Sequence, residues 1–109
     1  MATTPEGRVK NRLKYMLKNN NVWFYMPQAG AFGKAGIPDF LLIVEGRFVG
    51  VECKAGKSKR PTALQRIAME DIENAGGKCF VVYDTHTQDE LERWIKDARN
   101  TKDARVSTK

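Results

Sequence analysis

The sequence is poor in the residues on which several kinds of site depend. It has one histidine and two cysteines, Cys53 and Cys79, which are too few ligands for a structural zinc site. Both cysteines lie in apolar, strand-like runs, so we expect reduced, buried thiols. The histidine, His86, stands alone in an Asp-Thr-His-Thr turn, which argues against Ser-His-Asp catalysis and against histidine-dependent nuclease chemistry.

Long hydrophobic segments are also missing. No run of about 18 apolar residues is present, so no membrane span is expected. The N-terminus has no apolar signal-peptide core, and we therefore expect a cytoplasmic, intracellular protein. The length of 109 residues predicts one domain, over residues 1–99, followed by a polar, flexible tail at residues 100–109.

Basic residues are unevenly distributed along the chain. The 19 lysines and arginines outnumber the 13 acidic residues and give a net charge of +6. Residues 6–18 hold five basic side chains and one acidic side chain, and residues 54–66 hold five basic side chains and no acidic one. Such a distribution favours a polyanionic partner, most often nucleic acid, although a basic surface that only aids solubility has the same composition.

Apolar spacing and turn residues predict seven elements in the order α-β-β-β-α-β-α. Strands are expected over residues 22–26, 37–44, 47–54 and 78–83, with the last helix over 88–99. A helix between Thr62 and Gly76 should be capped by Thr62 and Gln65, with an apolar face of Leu64, Ile67, Ala68, Ile72 and Ala75. Because a strand–helix–strand crossover joins parallel strands, we predict an α/β fold with a mixed four-stranded sheet flanked by helices.

The second and third strands form a predicted hairpin that brings two carboxylates together. If its turn is Glu45-Gly46, Val44 faces Arg47 and Asp39 lies opposite Glu52, on the same face as Lys54. Lys54 could neutralise the pair as an ordinary cross-strand ion pair. A hard divalent cation is the alternative, because carboxylate oxygens are the ligands that Mg²⁺ prefers.

Two further residues have both a structural and a functional interpretation. Glu6 falls on the inward stripe of the first helix, where it could approach the carboxylates or only complement the helix dipole. Gln65 could support the site or only close its capping box with Thr62.

The run Gly36-Ile37-Pro38-Asp39, followed by Glu52-Cys53-Lys54 and then by Gln65 in a helix, resembles the PD-(D/E)XK nuclease superfamily. Within it, residues 6–83 are most similar to the VRR-NUC family, in a stand-alone form of the phage or bacterial type. The resemblance implies a restriction-endonuclease-like core and metal-dependent phosphodiester hydrolysis.

The same resemblance implies roles for individual residues. Asp39 and Glu52 would bind Mg²⁺ or Mn²⁺, with Glu6 and the backbone carbonyl of Cys53 as further ligands. Lys54 would be catalytic and Gln65 would support it. We expect nucleic-acid contacts from four basic side chains, those of Lys34, Lys57, Lys59 and Arg60.

These residues predict a metal-dependent endonuclease that recognises DNA structure, because no helix-turn-helix or zinc finger is present to read base edges. The expected substrate is branched DNA, including four-way Holliday junctions. We expect a homodimer, because two coordinated cuts need two active sites. Either the aromatic strand at residues 22–26 or the helix with Trp94 could form the dimer interface. The alternatives are a binding module without catalysis, a small partner-binding protein, and a monomeric nuclease that acts on flaps or single strands.

Overall fold

The computed structural model describes residues 3–28 and 35–107, and within them the predicted order of elements is confirmed. The helices and strands are α1 (Pro5–Asn19), β1 (Trp23–Tyr25), β2 (Phe40–Val44), β3 (Arg47–Cys53), α2 (Ala63–Asn74), β4 (Lys78–Val82) and α3 (Thr85–Ser107). None of the helices in this part of the chain is long and apolar enough to cross a membrane.

The four strands form one mixed sheet in the order β1-β2-β3-β4. β1, β2 and β3 are antiparallel neighbours, and β4 pairs parallel with β3, as the crossover rule predicts. In the hairpin Val44 pairs with Arg47 and Phe40 pairs with Val51, so the predicted register is confirmed. Both turn residues, Glu45 and Gly46, have positive φ, which is the geometry of a two-residue turn that matches the twist of the strands.

The main core lies between one face of the sheet and the helices α1 and α3. The four apolar residues at helical spacing in α1, namely Val9, Leu13, Met16 and Leu17, are all buried. They pack with Leu91 and Ile95 of α3 and with alternate residues of the central strands. Side chains of β2 and β3 that point to the opposite face therefore lie on the side of α2, where Gly50 approaches Ile72.

Helix α2 covers only part of this second face. The predicted capping box is present, since the Thr62 side chain accepts from the Gln65 backbone and the Gln65 side chain accepts from the Thr62 backbone. The predicted apolar face is wrong in part, because Leu64, Ile67 and Ala75 are exposed and Ala68 is the buried residue of the helix. A helix lying over the edge strand β4 and its neighbour buries only a narrow stripe.

Helix α3 is longer than its predicted range of 88–99 at both ends. Its first turn is fixed by Asp84, whose Oδ1 accepts a hydrogen bond of 2.8 Å from the backbone N–H of Thr87. At the other end the helical backbone continues to Ser107, through most of the segment predicted as a polar tail. Polar composition alone was therefore a poor indicator of where this helix ends.

Candidate active site

Asp39 lies directly before β2 and is fixed by a backbone contact. Its Oδ2 accepts a hydrogen bond of 2.8 Å from the backbone N–H of Cys53, on the neighbouring strand. The segment that leads to Asp39 passes close to the start of α2 at Gly36, whose φ is +82°. A Cβ at Gly36 would meet the carbonyl of Leu64 at 2.4 Å, so only glycine allows this approach.

Glu52 is the one buried charged residue of the described chain, with 2% of its surface exposed. Its Oε2 lies 3.1 Å from Nζ of Lys54, whereas its Oε1 is buried and has no hydrogen-bond partner among the described residues. Burial, and then the negative charge of Asp39, raise the pKa of Glu52 to about 7, and the attraction of Lys54 offsets this only in part.

Lys54 connects Glu52 to helix α2. Its Nζ donates to Oε1 of Gln65 at 2.8 Å, and its side chain is 12% exposed. The same Gln65 oxygen accepts from the backbone N–H of Thr62, also at 2.8 Å. Gln65 therefore has both functions that the sequence left open: it closes the capping box and it contacts Lys54.

Lys10 is a member of this cluster that the sequence analysis missed. Its Nζ lies 3.2 Å from Oε2 of Glu6 and 3.4 Å from Oδ1 of Asp39. Burial acts to lower the pKa of Lys10, but the carboxylates of Asp39 and Glu6 outweigh it and raise that pKa. The spacing of Glu6 and Lys10 at i and i+4 was a visible signal for the first contact, whereas nothing in the sequence indicated the second.

The predicted metal ligands are brought together only in part. Each of the two central carboxylates has one oxygen that is already in contact: Oδ2 of Asp39 with the backbone N–H of Cys53, and Oε2 of Glu52 with the ammonium of Lys54. Glu6 is joined to the cluster through Lys10 and is 42% exposed. In the part of the chain that the structure describes, no three His, Cys, Asp or Glu side chains are grouped closely enough to hold one metal ion.

The basic residues predicted to contact nucleic acid follow the site in sequence. Lys57, Lys59 and Arg60 are exposed in the loop that begins directly after Lys54. The fourth predicted contact, Lys34, lies outside the described residues. The two cysteines are free, and burial raises the pKa of both thiols, to about 11 for Cys79, so neither is a thiolate at neutral pH.

Comparison with known proteins places this geometry in a known fold. No protein-family model matches the sequence, and no curated protein matches it. Among solved structures, the chain is similar to one described as a VRR_NUC domain, with a TM-score of 0.72 and 28% identity over 83% of this chain and 95% of the other. The match supports the VRR-NUC family. The match suggests a nuclease-type domain, and the mixed four-stranded sheet with flanking helices is consistent with a restriction-endonuclease-like fold.

The VRR-NUC match covers most of the chain, but it assigns no role to any single residue. A nuclease-type domain implies contact with nucleic acid, which agrees with the net charge of +6.

Proposed function

We propose that this VRR-NUC domain is a divalent-metal-dependent endonuclease that hydrolyses phosphodiester bonds in DNA. The observation that carries the proposal is the buried Glu52 carboxylate, with Oε1 unpartnered, beside Asp39 and Lys54. A buried carboxylate oxygen without a partner is costly, and such an oxygen is accounted for when it is the ligand of a cation. An ordinary Glu52–Lys54 ion pair, as in a non-catalytic binding module, accounts for Oε2 but leaves Oε1 unexplained.

The residues present fit a hard divalent cation. Asp39, directly before β2, and Glu52, on β3, supply carboxylate oxygens, and Glu6 and the backbone carbonyl of Cys53 are the further predicted ligands. With ligands of this kind, Mg²⁺ would keep several of its water molecules and could also bind phosphate oxygens. In such a site Mg²⁺ or Mn²⁺ would neutralise charge on the scissile phosphate and would make an attacking water more acidic.

The remaining steps belong to the side chains of this chain. Lys54 is held by Glu52 and Gln65, so its ammonium is oriented before substrate arrives. From that position it can orient the attacking water and stabilise the negative charge that develops on the phosphate. Gln65 fixes Lys54 and in turn is fixed by the first turn of α2.

We propose recognition of DNA structure rather than of base sequence, with branched and four-way junction DNA as the substrate class. Lys57, Lys59 and Arg60 are exposed next to the site and are suited to phosphate contacts, which position DNA without reading its bases. Two cuts at a symmetric junction need two sites related by a two-fold axis, which a homodimer supplies.

An apolar row on the sheet supports the homodimer. Trp23 pairs with Ile43, which pairs with Phe48, and these side chains are 60%, 48% and 42% exposed. A contiguous apolar row of this kind is typical of a protein interface. The other predicted interface is less suitable, because Trp94 packs against the core and contacts Phe80 edge-on at 5.4 Å.

Cleavage assays on duplex, flap, fork and four-way junction DNA, with and without Mg²⁺, test the enzymatic proposal. We expect Mg²⁺-dependent cleavage of the junction, lost in Asp39→Asn and kept in Glu70→Gln, which changes an exposed glutamate on α2. Binding of DNA without cleavage under any of these conditions would favour the binding module. Full activity of Asp39→Asn would refute the assignment of the site.

Light scattering at micromolar protein tests the dimer. The wild type should have twice the mass of one chain, and Ile43→Lys should be monomeric because it places a charge in the centre of the apolar row. Tyr15→Lys is the matched control, since Tyr15 is 70% exposed on α1, away from the sheet. A monomeric wild type, with or without junction DNA, would favour cleavage of flaps or single strands instead.

A further inference from the structure

Two lysines neutralise the carboxylates of the candidate site, and they differ in how they are held. Lys54 is 12% exposed and is fixed by both Glu52 and Gln65. Lys10 is 31% exposed and contacts only carboxylates, those of Glu6 and Asp39. A long side chain that is held by charge alone, with its end near solvent, can leave its position at little cost.

The atom that Lys10 contacts on Asp39 is the one that a metal would need. Oδ2 of Asp39 is already used by the backbone N–H of Cys53, at 2.8 Å. Oδ1 is therefore the oxygen left for a cation, and Nζ of Lys10 lies 3.4 Å from it. An ammonium and a divalent cation at one carboxylate oxygen repel each other, so both cannot occupy this position fully.

We propose that Lys10 is the exchangeable counter-ion of the metal site: its ammonium neutralises Asp39 and Glu6 in the metal-free protein and leaves Oδ1 of Asp39 when a divalent cation binds. This inference rests on the proposed metal-dependent function. It also explains why Glu6 contacts Lys10 beside the site. Glu6 retains Lys10 through its own contact of 3.2 Å while Asp39 exchanges one cation for another.

Removal of the competing charge should strengthen metal binding. In Lys10→Met the side chain keeps most of its length but loses its ammonium, so the affinity for Mn²⁺ should rise about tenfold. Lys14→Met is the matched control, because Lys14 is exposed one turn further along α1. At physiological salt its more distant charge is screened, and the affinity should change by less than about twofold.

Calorimetric titration of each full-length protein with Mn²⁺ alone, without DNA, measures this effect. Thermal unfolding gives a second measurement: metal-free Lys10→Met should melt below the metal-free wild type, because Asp39 and Glu6 lose their counter-ion. Saturating Mn²⁺ should then raise the Tm of Lys10→Met by more than it raises the Tm of the wild type.

The possible outcomes separate this inference from the proposed function. If the wild type binds Mn²⁺ and Lys10→Met binds it equally or more weakly, Lys10 is a structural bridge or a supporting group, and the exchange is refuted while the metal site stands. If neither protein binds Mn²⁺, the metal-dependent function is refuted and the exchange with it. Tighter binding by Lys10→Met and not by Lys14→Met supports both.

Discussion

Replacement of Glu52 by glutamine should make the folded protein more stable at alkaline pH. Glu52 is buried, and its pKa is raised to about 7 by burial and by the charge of Asp39. Glutamine has nearly the same shape and corresponds to the protonated form, so Glu52→Gln removes the buried charge and leaves the packing of β3 unchanged. We expect cleavage to be lost in the same variant.

The sign and size of the effect follow from proton linkage. Between the ordinary pKa of a glutamate and pH 7, the unfolded chain has released the Glu52 proton and the folded chain has kept it. The folded state then binds more protons, so the contribution of Glu52 to stability falls as pH rises through this range. Since a tenfold change in proton affinity corresponds to about 1.4 kcal/mol, this contribution falls by about 2–3 kcal/mol between pH 5 and pH 8.

Urea unfolding in metal-free buffer at several pH values measures this contribution. The difference in unfolding free energy, Glu52→Gln minus wild type, should increase by about 2–3 kcal/mol from pH 5 to pH 8. Glu70→Gln, an exposed glutamate on α2, should show a difference that is nearly independent of pH. If the difference for Glu52→Gln is also independent of pH, or decreases toward pH 8, burial and the charge of Asp39 do not raise the pKa of Glu52.

Further substitutions test the other parts of the site. Lys54→Ala should lower the cleavage rate by about 10²-fold or more while Mn²⁺ binding persists, and near-normal cleavage would remove Lys54 from the mechanism. Gln65→Ala removes the oxygen that accepts from both Lys54 and the Thr62 N–H. The free energy of unfolding in urea should therefore fall by about 1 kcal/mol, and cleavage should be slower. An unchanged cleavage rate would mean that Gln65 only caps the helix. The triple alanine variant of Lys57, Lys59 and Arg60 should bind DNA more weakly, and equally so for all sequences. The slope of log K against log salt concentration should become less steep by about 2–3, and an unchanged slope would mean that the loop does not contact phosphates.

The centre of the site could be predicted because local rules fix it. The Glu45-Gly46 turn sets the register of the hairpin, and the period of two then places Asp39 opposite Glu52 without any knowledge of the rest of the fold. The capping box is equally local, since Thr62 and Gln65 are three residues apart. Predictions of this kind need only neighbouring residues in the chain or across one turn.

The rest of the site depends on packing between distant segments, which no pattern in one sequence reports. Lys10 meets Asp39 because the fold brings α1 next to the residue that precedes β2, 29 positions further along the chain. The exposed side chains of Leu64 and Ile67 follow from the position of α2 over the sheet edge. Helical periodicity gives the apolar face of a helix but not how much of that face a narrow sheet can cover.

The unfavourable charge at Glu52 persists because the core holds the hairpin in one register. Phe40 and Val51 pair across the hairpin and are fully buried, and they directly adjoin Asp39 and Glu52 in sequence. A slip of one residue in either strand would separate the carboxylates, but it would also turn the buried side chains of that strand toward the other face. Burial of a large apolar side chain contributes about 1.5–3 kcal/mol, so several of them together outweigh the cost of about 3 kcal/mol at Glu52. The repulsion between the carboxylates is therefore relieved by cations, from Lys54, from Lys10 and, as we propose, from a divalent metal ion, rather than by movement of the strands.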